Sequence, residues 1–168
     1  FNSITSRILT YLFLIYLLAV LVRVWFVKDG VFAFGYDQAR DAVHAGEILN
    51  GNLKLFGPTA SGTQDTIFHG VVYYYLLAGL HLLSHSPVII GVLLGMISAL
   101  SVVPIFYLTK SITKHDVAGL YAALLAALSY EQITAGTWLS NPAPVIFILP
   151  CFIYFFHRLT RNFTIKNM

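Results

Sequence analysis

The sequence predicts an all-α integral membrane protein with about four transmembrane helices and amphipathic helices beside the membrane. Composition is the first reason, because 58% of the 168 residues are hydrophobic and only 10% are charged. Soluble domains are about 25% charged, so this composition is typical of a chain that is solvated by lipid. The second reason is that four apolar stretches approach the roughly 20 residues that a bilayer-spanning helix requires.

The four apolar stretches are the predicted membrane spans. Arg23 interrupts the first, and we expect its long side chain to reach toward the lipid headgroups. Pro104 is expected to kink the second, because proline supplies no backbone N–H to the helix. Pro150 lies in the fourth, which is the shortest. In chain order the stretches are residues 8–27, 87–109, 117–138 and 142–156.

The distribution of charge orients these spans. An excess of Lys and Arg in short loops marks the cytoplasmic side of a membrane protein. Both termini lie on the basic side, so we expect a plasma (inner) membrane protein with cytoplasmic termini. Because the basic residues are dispersed beside apolar spans, membrane lipids are expected as partners and nucleic acid is not. The basic residues on this side are Arg7, Lys110, Lys114, Arg158, Arg161 and Lys166.

Small residues recur at every fourth position in the second and third spans. Stripes of this kind allow helix backbones to approach closely inside a membrane, where lipid supplies no hydrophobic drive for association. We therefore expect a packed helical bundle. The stripes are formed by Gly91, Gly95 and Ala99 and by Gly119, Ala123 and Ala127.

A polar segment, residues 28–85, contains five of the seven acidic residues and four of the six histidines. We expect it to face away from the cytoplasm as an external loop. Within it, residues 37–50 predict an amphipathic helix that ends at the Asn-Gly-Asn sequence starting at Asn50. The expected apolar face is Ala39, Ala42, Val43, Gly46 and Leu49, and the expected ionisable face is Asp37, Arg40, Asp41, His44 and Glu47.

Several residues of the loop have two interpretations. Asp37 is either the N-cap of the predicted helix or a catalytic carboxylate. His69 is either structural or functional. The tyrosines at positions 73–75 are typical of anchors at the membrane interface, and the apolar run that contains them is too short for a confident span.

Taken in order, these motifs resemble the amino-terminal part of the GT-C glycosyltransferases, in the group of protein O-mannosyltransferases and aminoarabinose transferases. The resemblance rests on YDQARDA (residues 36–42), followed by Gly57-Pro58 and by FHGVVYYYLLA (residues 68–78). That group has an Asp-Glu-Ala-Arg-Tyr-Ala-like motif in its first external loop. A Lys-Pro-Pro-Leu-Tyr-Tyr-Trp-Leu-like motif opens the next amphipathic segment.

The resemblance implies transfer of a sugar from a polyprenyl-phosphate carrier to a hydroxyl of a lipid or protein acceptor outside the cytoplasm. Asp37 corresponds to the catalytic base of an inverting displacement. Arg40 and His69 correspond to groups that bind the donor phosphate. Residues implied in substrate binding are Asp41, His44, Tyr74 and Asn141.

The sequence also departs from the family pattern. Gln38 replaces a frequent acid, so no cofactor is certain and a divalent metal stays an open question. Relatives are several times longer, and we expect residues 1–168 to be one transmembrane domain, the amino-terminal part of a longer module that does not catalyse alone. Two alternatives are a small multi-helix transporter and a structural membrane subunit without catalysis. A transporter would be expected to carry ionisable residues inside its spans, and few are present here.

Overall fold

The computed structural model describes residues 3–30, 34–59 and 67–162, and across these ranges the chain folds into α-helices joined by short connections. The all-α prediction is confirmed for the described residues, in which one isolated bridge between Thr59 and Phe68 is the only β pairing. The helices are α1 (Ser3–Val27), α2 (Tyr36–Leu49), α3 (Val72–His81), α4 (Pro87–Ala99), α5 (Val102–Thr113), α6 (Asp116–Leu128), α7 (Tyr130–Thr137) and α8 (Val145–Asn162).

Two helical units in the described ranges are long and apolar enough to cross a membrane, judged by length and composition. They are Ser6–Val27 within α1 and Pro87–Thr113, which joins α4 to α5. The helix α6 is apolar but has only 13 residues. The structure therefore shows two helices of spanning length where the sequence predicted about four.

The joint between α4 and α5 lies just before Pro104, where the sequence predicted a kink. Leu100 and Val103 donate backbone hydrogen bonds to the residue three positions earlier, at N···O distances of 3.1 and 3.0 Å. Pro104 has no N–H with which to bond the Leu100 carbonyl, so Val103 donates to that oxygen instead. The result is a tight, irregular turn inside an otherwise continuous apolar unit.

The third predicted span is two helices and not one. Ser129 has an extended backbone, with ψ of 118°, and its hydroxyl accepts a hydrogen bond from the Gln132 amide at the start of α7. Ser129 is therefore an N-cap, which ends one helix and begins another. The 13 residues of α6 reach about 20 Å, less than the roughly 30 Å of a bilayer core.

The bundle core lies where α1, α4, α5 and α6 meet, and small residues permit the close contacts. A Cβ on Gly119 would lie 2.8 Å from the Phe106 ring, and a Cβ on Gly95 would lie 3.2 Å from Arg23 Cβ. The prediction that the two small-residue stripes pack against neighbouring helices is confirmed. The core residues are Leu12, Ala19, Ala99, Val102, Phe106, Ala123 and Ala127.

The side chain of Arg23 does not reach toward a headgroup region but is completely buried. Its Nε donates to the Ser98 hydroxyl at 3.0 Å, and its Nη1 donates to the carbonyl of Ala127 at 3.3 Å. Ala127 lies at the end of α6, whose last carbonyls lack intrahelical partners. Arg23 therefore links α1 to α4 and to the break between α6 and α7, which corrects the sequence-based expectation.

A second apolar cluster fixes α2 and α3 to one end of the bundle. It lies at the end where α1 terminates and α4 begins, because a Cβ on Gly91 would lie 3.0 Å from the Val27 side chain. Residues 28–86 therefore leave and rejoin the bundle at the same end. The cluster consists of Ala45, Tyr73, Leu77, Ala78, Leu80, Ile90, Leu94 and Leu139.

Candidate functional site

The first turn of α2 is capped by Gln38 and not by Asp37. The Gly35 amide donates to Gln38 Oε1 at 2.8 Å, so the side chain reaches back over the helix start. The helix begins at Tyr36, which places Asp37 inside the first turn. A carboxylate there interacts favourably with the positive end of the helix dipole. The N-cap interpretation of Asp37 is wrong, and its carboxylate is left exposed to solvent.

The helix α2 turns a different face toward the protein from the one that its pattern predicted. Its buried residues are Gln38, Asp41 and Ala45, whereas Val43 from the expected apolar face is 61% exposed. The spacing of the buried residues, three and then four positions, matches one side of a helix. This orientation presses a carboxylate, Asp41, against α3.

The Arg40 guanidinium bridges two carboxylates. Its Nε and Nη2 donate to Asp41 Oδ1 at 3.0 and 2.8 Å, and its Nη1 donates to Asp37 Oδ1 at 2.8 Å. Burial raises the pKa of Asp41 above its usual value, although the nearby Arg40 charge acts in the opposite direction. Asp37 and Asp41 therefore share one cation, with Asp37 exposed and Asp41 buried.

Glu47 holds a second group of charges one turn further along α2. Its Oε2 lies 2.8 Å from His44 Nδ1 and 2.7 Å from Lys54 Nζ. These contacts, that with Lys54 first, hold the pKa of Glu47 below its usual value. The His44 ring also lies against the Tyr74 ring, with centroids 5.0 Å apart.

The three consecutive tyrosines of α3 are not equivalent. Tyr73 and Tyr74 are buried against α2, so the expectation that they anchor the chain at a membrane interface is wrong for these two. Burial is the main reason that the pKa of each is raised, with the Asp41 charge adding to it. Within the described part of the chain, neither hydroxyl makes a well-aligned hydrogen bond, although Arg40 lies close enough to Tyr74 to oppose the rise in its pKa. Tyr75 is partly exposed and bonds to Lys54 instead.

Two chain segments, residues 53–59 and 67–69, run side by side over α2 and α3, and we call this pair the hairpin. The Gly57 amide donates to the His69 carbonyl at 3.1 Å, and the His69 amide donates to the Pro58 carbonyl at 2.8 Å. The rings of Phe56 and Phe68 lie 5.1 Å apart. The residues that connect the two segments, 60–66, are outside the described ranges.

A cavity of about 510 Å³ lies between the hairpin and the two helices. Arg40, His44 and Tyr74 supply its polar side. The hairpin supplies Lys54 and an otherwise apolar rim. The rim residues are Leu53, Leu55, Phe56, Gly57, Pro58, Thr59 and Phe68.

The structure brings together five of the seven site residues that the sequence predicted. Arg40, His44 and Tyr74 line the cavity, and Asp37 and Asp41 do not line it but are joined to it through their hydrogen bonds with Arg40.

The other two predicted site residues are placed elsewhere. His69 contributes its backbone to the hairpin, and its exposed imidazole does not line the cavity. Asn141 lies in the turn between α7 and α8, near Ser140, and does not line the cavity either.

Sequence reasoning missed Glu47 and Lys54 as site residues and missed the buried role of Tyr73. Glu47 could have been found from its spacing to His44, because residues three positions apart lie on one face of a helix. The contact with Lys54 depends on the path of the hairpin, which the sequence pattern does not specify.

The described residues contain no group of three or more His, Cys, Asp or Glu side chains that is arranged to hold a metal ion. The carboxylates nearest the cavity are already engaged by Arg40 or by Lys54. A bound metal would have to displace these cations. The site described here is therefore one of ion pairs and phenol hydroxyls.

Comparisons of the chain with protein-family models, with curated proteins and with solved structures each found no match. The resemblance to the GT-C glycosyltransferases therefore rests on the motifs alone.

Proposed function

We propose that the chain is the amino-terminal part of a membrane glycosyltransferase of the GT-C type. It would transfer a sugar from a polyprenyl-phosphate carrier to a hydroxyl of a lipid or protein acceptor at the non-cytoplasmic face. The observation that supports this proposal most is the 510 Å³ cavity, which places the hydrogen-bond donors of Arg40, His44 and Tyr74 opposite an apolar rim. That combination suits an amphiphile with a hydrogen-bond-accepting headgroup and a hydrocarbon chain.

Membrane insertion is the first part of the proposal. Only 17% of the most apolar 18-residue window of α1 is buried against the rest of the protein, so most of this surface would be unfavourable in water. The helix α8 likewise exposes large apolar side chains along its length, Phe152 among them. We propose four spans in a plasma (inner) membrane, with both termini cytoplasmic. The third combines α6 with α7, and the fourth is α8.

The second part concerns the acceptor. Asp37 is exposed, and its Oδ1 accepts one hydrogen bond, from Arg40 Nη1. A carboxylate placed within hydrogen-bond distance of a hydroxyl can take its proton as the new glycosidic bond forms. We assign this role of general base to Asp37.

The third part concerns the donor. Arg40 lines the cavity and can bind phosphate, but three of its five N–H groups are already donated to Asp37 and Asp41. A phosphate that takes Nη1 would release Asp37 from its ion pair at the moment when the base is needed. His44 and Lys54 line the same cavity and are better placed than His69 to donate hydrogen bonds to the donor phosphate.

The test is transfer from a radiolabelled polyprenyl-phosphate sugar by the complete protein in detergent. Asp37→Asn is expected to lower transfer by at least about 100-fold, the usual contribution of a general base, because the amide cannot accept the proton. Asp29→Asn is the matched control, since Asp29 is also exposed and also paired with a cation, Lys28. It should retain full activity.

Two results would contradict the proposal. Retained transfer in the Asp37→Asn protein would remove Asp37 as the base. Absence of transfer from several donors by wild-type protein that elutes as a single folded species would favour a transporter or a structural subunit.

A further inference from the structure

The hairpin exposes five large apolar side chains, and four of them, all but Ile67, also form the rim of the cavity. Their exposed fractions range from 44% for Phe68 to 82% for Leu55. They come from both segments of the hairpin, so the apolar surface does not belong to one local run of sequence. Large apolar groups that cluster on a protein surface mark a site of contact with a partner or a membrane. The five residues are Leu53, Leu55, Phe56, Ile67 and Phe68.

This surface is held in place from the inner side. The Tyr75 hydroxyl donates to the Lys54 carbonyl at 2.8 Å, and the Lys54 ammonium lies 2.7 Å from Glu47. Together with the backbone bonds between the two segments, these contacts direct polar groups inward. These contacts hold the hairpin backbone in one position, and with it the apolar side chains.

The position of the hairpin in the chain indicates what it meets. Residues 28–86 leave α1 at Val27 and return to α4 at Pro87. These two points are neighbouring ends of the two helices of spanning length, Ser6–Val27 and Pro87–Thr113. The hairpin is therefore connected through α2 and through α3 to the end of the bundle at which those two helices would leave a bilayer.

A second copy of the chain is a weaker explanation for the same surface. Five side chains of about 200 Å² each, at these exposed fractions, offer on the order of 600 Å². A stable protein interface buries about 800 Å² on each partner. Lipid has no such threshold, because each apolar group that enters the acyl region contributes independently.

We propose that the exposed apolar surface of the hairpin, cavity rim included, inserts into the outer leaflet of the membrane, with lipid acyl chains as its partner. The cavity between the hairpin and α2 then opens at the level of the acyl chains, so an amphiphile could enter it without leaving the membrane. The inference rests on the proposed membrane location and is independent of the proposed sugar transfer.

The experiment uses a background without reactive cysteines, in which Cys151 and any cysteine outside residues 1–168 are replaced by Ser. In that background, Leu55→Cys, Phe68→Cys or Asn50→Cys is labelled with an environment-sensitive fluorophore. Each complete protein is reconstituted in vesicles of phosphatidylcholine and phosphatidylglycerol. Lipids that carry a nitroxide on the acyl chain then report contact with hydrocarbon, and iodide reports contact with water. Asn50 is the control because it is a polar side chain exposed at the end of α2 and is not one of the five apolar residues.

The proposal predicts blue-shifted emission at positions 55 and 68, with quenching by the nitroxide lipid at least about twofold greater than at position 50. Quenching by iodide should be weaker at positions 55 and 68 than at position 50. Equal quenching at all three positions would overturn the proposal. So would protection of positions 55 and 68 from both quenchers, since that pattern would indicate a protein partner. Leu55 is 82% exposed and Phe68 is 44% exposed, so size-exclusion profiles that match the background protein are expected for both variants.

Discussion

Arg40 is the residue on which the candidate site depends, because it is shared by a buried and an exposed carboxylate. Two carboxylates and one guanidinium leave the group with one formal negative charge. This charge disfavours the binding of an anion unless one carboxylate is protonated or one ion pair is broken. Asp41 is the better candidate for the proton, since burial raises its pKa. Binding of a phosphate at Arg40 is therefore expected to be coupled to the protonation of its neighbours.

Arg23 is the clearest single contributor to the packing of the bundle. Its replacement by Lys removes the planar group that reaches both Ser98 and the Ala127 carbonyl. We expect Arg23→Lys to reduce the free energy of unfolding by about 1–3 kcal/mol, the range for buried polar groups left without partners.

The measurement for Arg23 is the thermal unfolding temperature in detergent. Arg7→Lys is the control, because Arg7 is exposed on the same helix and its replacement should change the stability by less than about 0.5 kcal/mol. Equal unfolding temperatures for the two variants would mean that the Arg23 contacts do not stabilise the bundle.

His81 predicts a dependence of stability on pH. Burial, and secondarily the neighbouring His85, lowers the pKa of His81 below its ordinary value of 6.5. The folded protein then binds fewer protons than the unfolded chain, so the free energy of unfolding falls as the pH decreases through 6.5 toward the folded-state pKa. Above 6.5 this contribution is constant. Asp41 contributes with the opposite sign. Because its pKa is raised in the folded protein, its contribution to the free energy of unfolding increases as the pH decreases.

The check is the unfolding temperature of the wild-type and His81→Gln proteins across the neutral to mildly acidic range. The wild-type protein is expected to lose stability toward acid, and the variant is expected to lose less. An unchanged pH dependence in the variant would assign the effect to other groups.

At the scale of elements, the hairpin depends on a glycine at a close approach between its segments. A Cβ on Gly57 would lie 2.5 Å from the His69 carbonyl oxygen and 2.8 Å from that of Gly70, so Gly57→Ala must separate the two segments. We expect the free energy of opening the hairpin to fall by about 1–3 kcal/mol. Hydrogen exchange of the Gly57 and His69 amides should accelerate accordingly.

Gly46→Ala is the matched control for that substitution. Gly46 lies within α2, and a Cβ there would meet no other atom within 4 Å. Alanine is favoured over glycine in a helix, so this variant is expected to be more stable by about 0.5–1 kcal/mol. If both variants leave hydrogen exchange in the hairpin unchanged, the close contact at Gly57 does not hold the two segments together.

At the scale of the whole molecule, the proposed topology places α1 and α4 so that residues 28–86 are external. In the same background without reactive cysteines, Asp29→Cys should react with a membrane-impermeant maleimide added to intact cells. Thr113→Cys, at the opposite end of the α4–α5 unit, should react only after permeabilisation. Both positions are exposed on the protein surface, so burial within the protein does not explain a difference in their reaction with the maleimide. Labelling of residue 113 in intact cells would reverse the proposed orientation.

The sequence by itself determined the helical class, the two longest apolar helices, the turn after α2 and the small-residue contacts of the bundle. These features follow from local rules, because composition, periodicity and the chemistry of Gly, Pro and Asn act over a few residues. The same rules predicted a helix near residues 37–50, and α2 has those bounds within one residue at each end.

Only the tertiary structure decided which face of α2 is buried, where Arg23 points and how the third apolar stretch is divided. Each depends on partners distant in sequence. Asp41 is buried because α3 packs on it, and Arg23 is buried because Ser98 and Ala127 supply acceptors. A hydrophobicity pattern places such polar groups at the surface, whereas the fold can bury them where hydrogen bonds or ion pairs compensate for the loss of water.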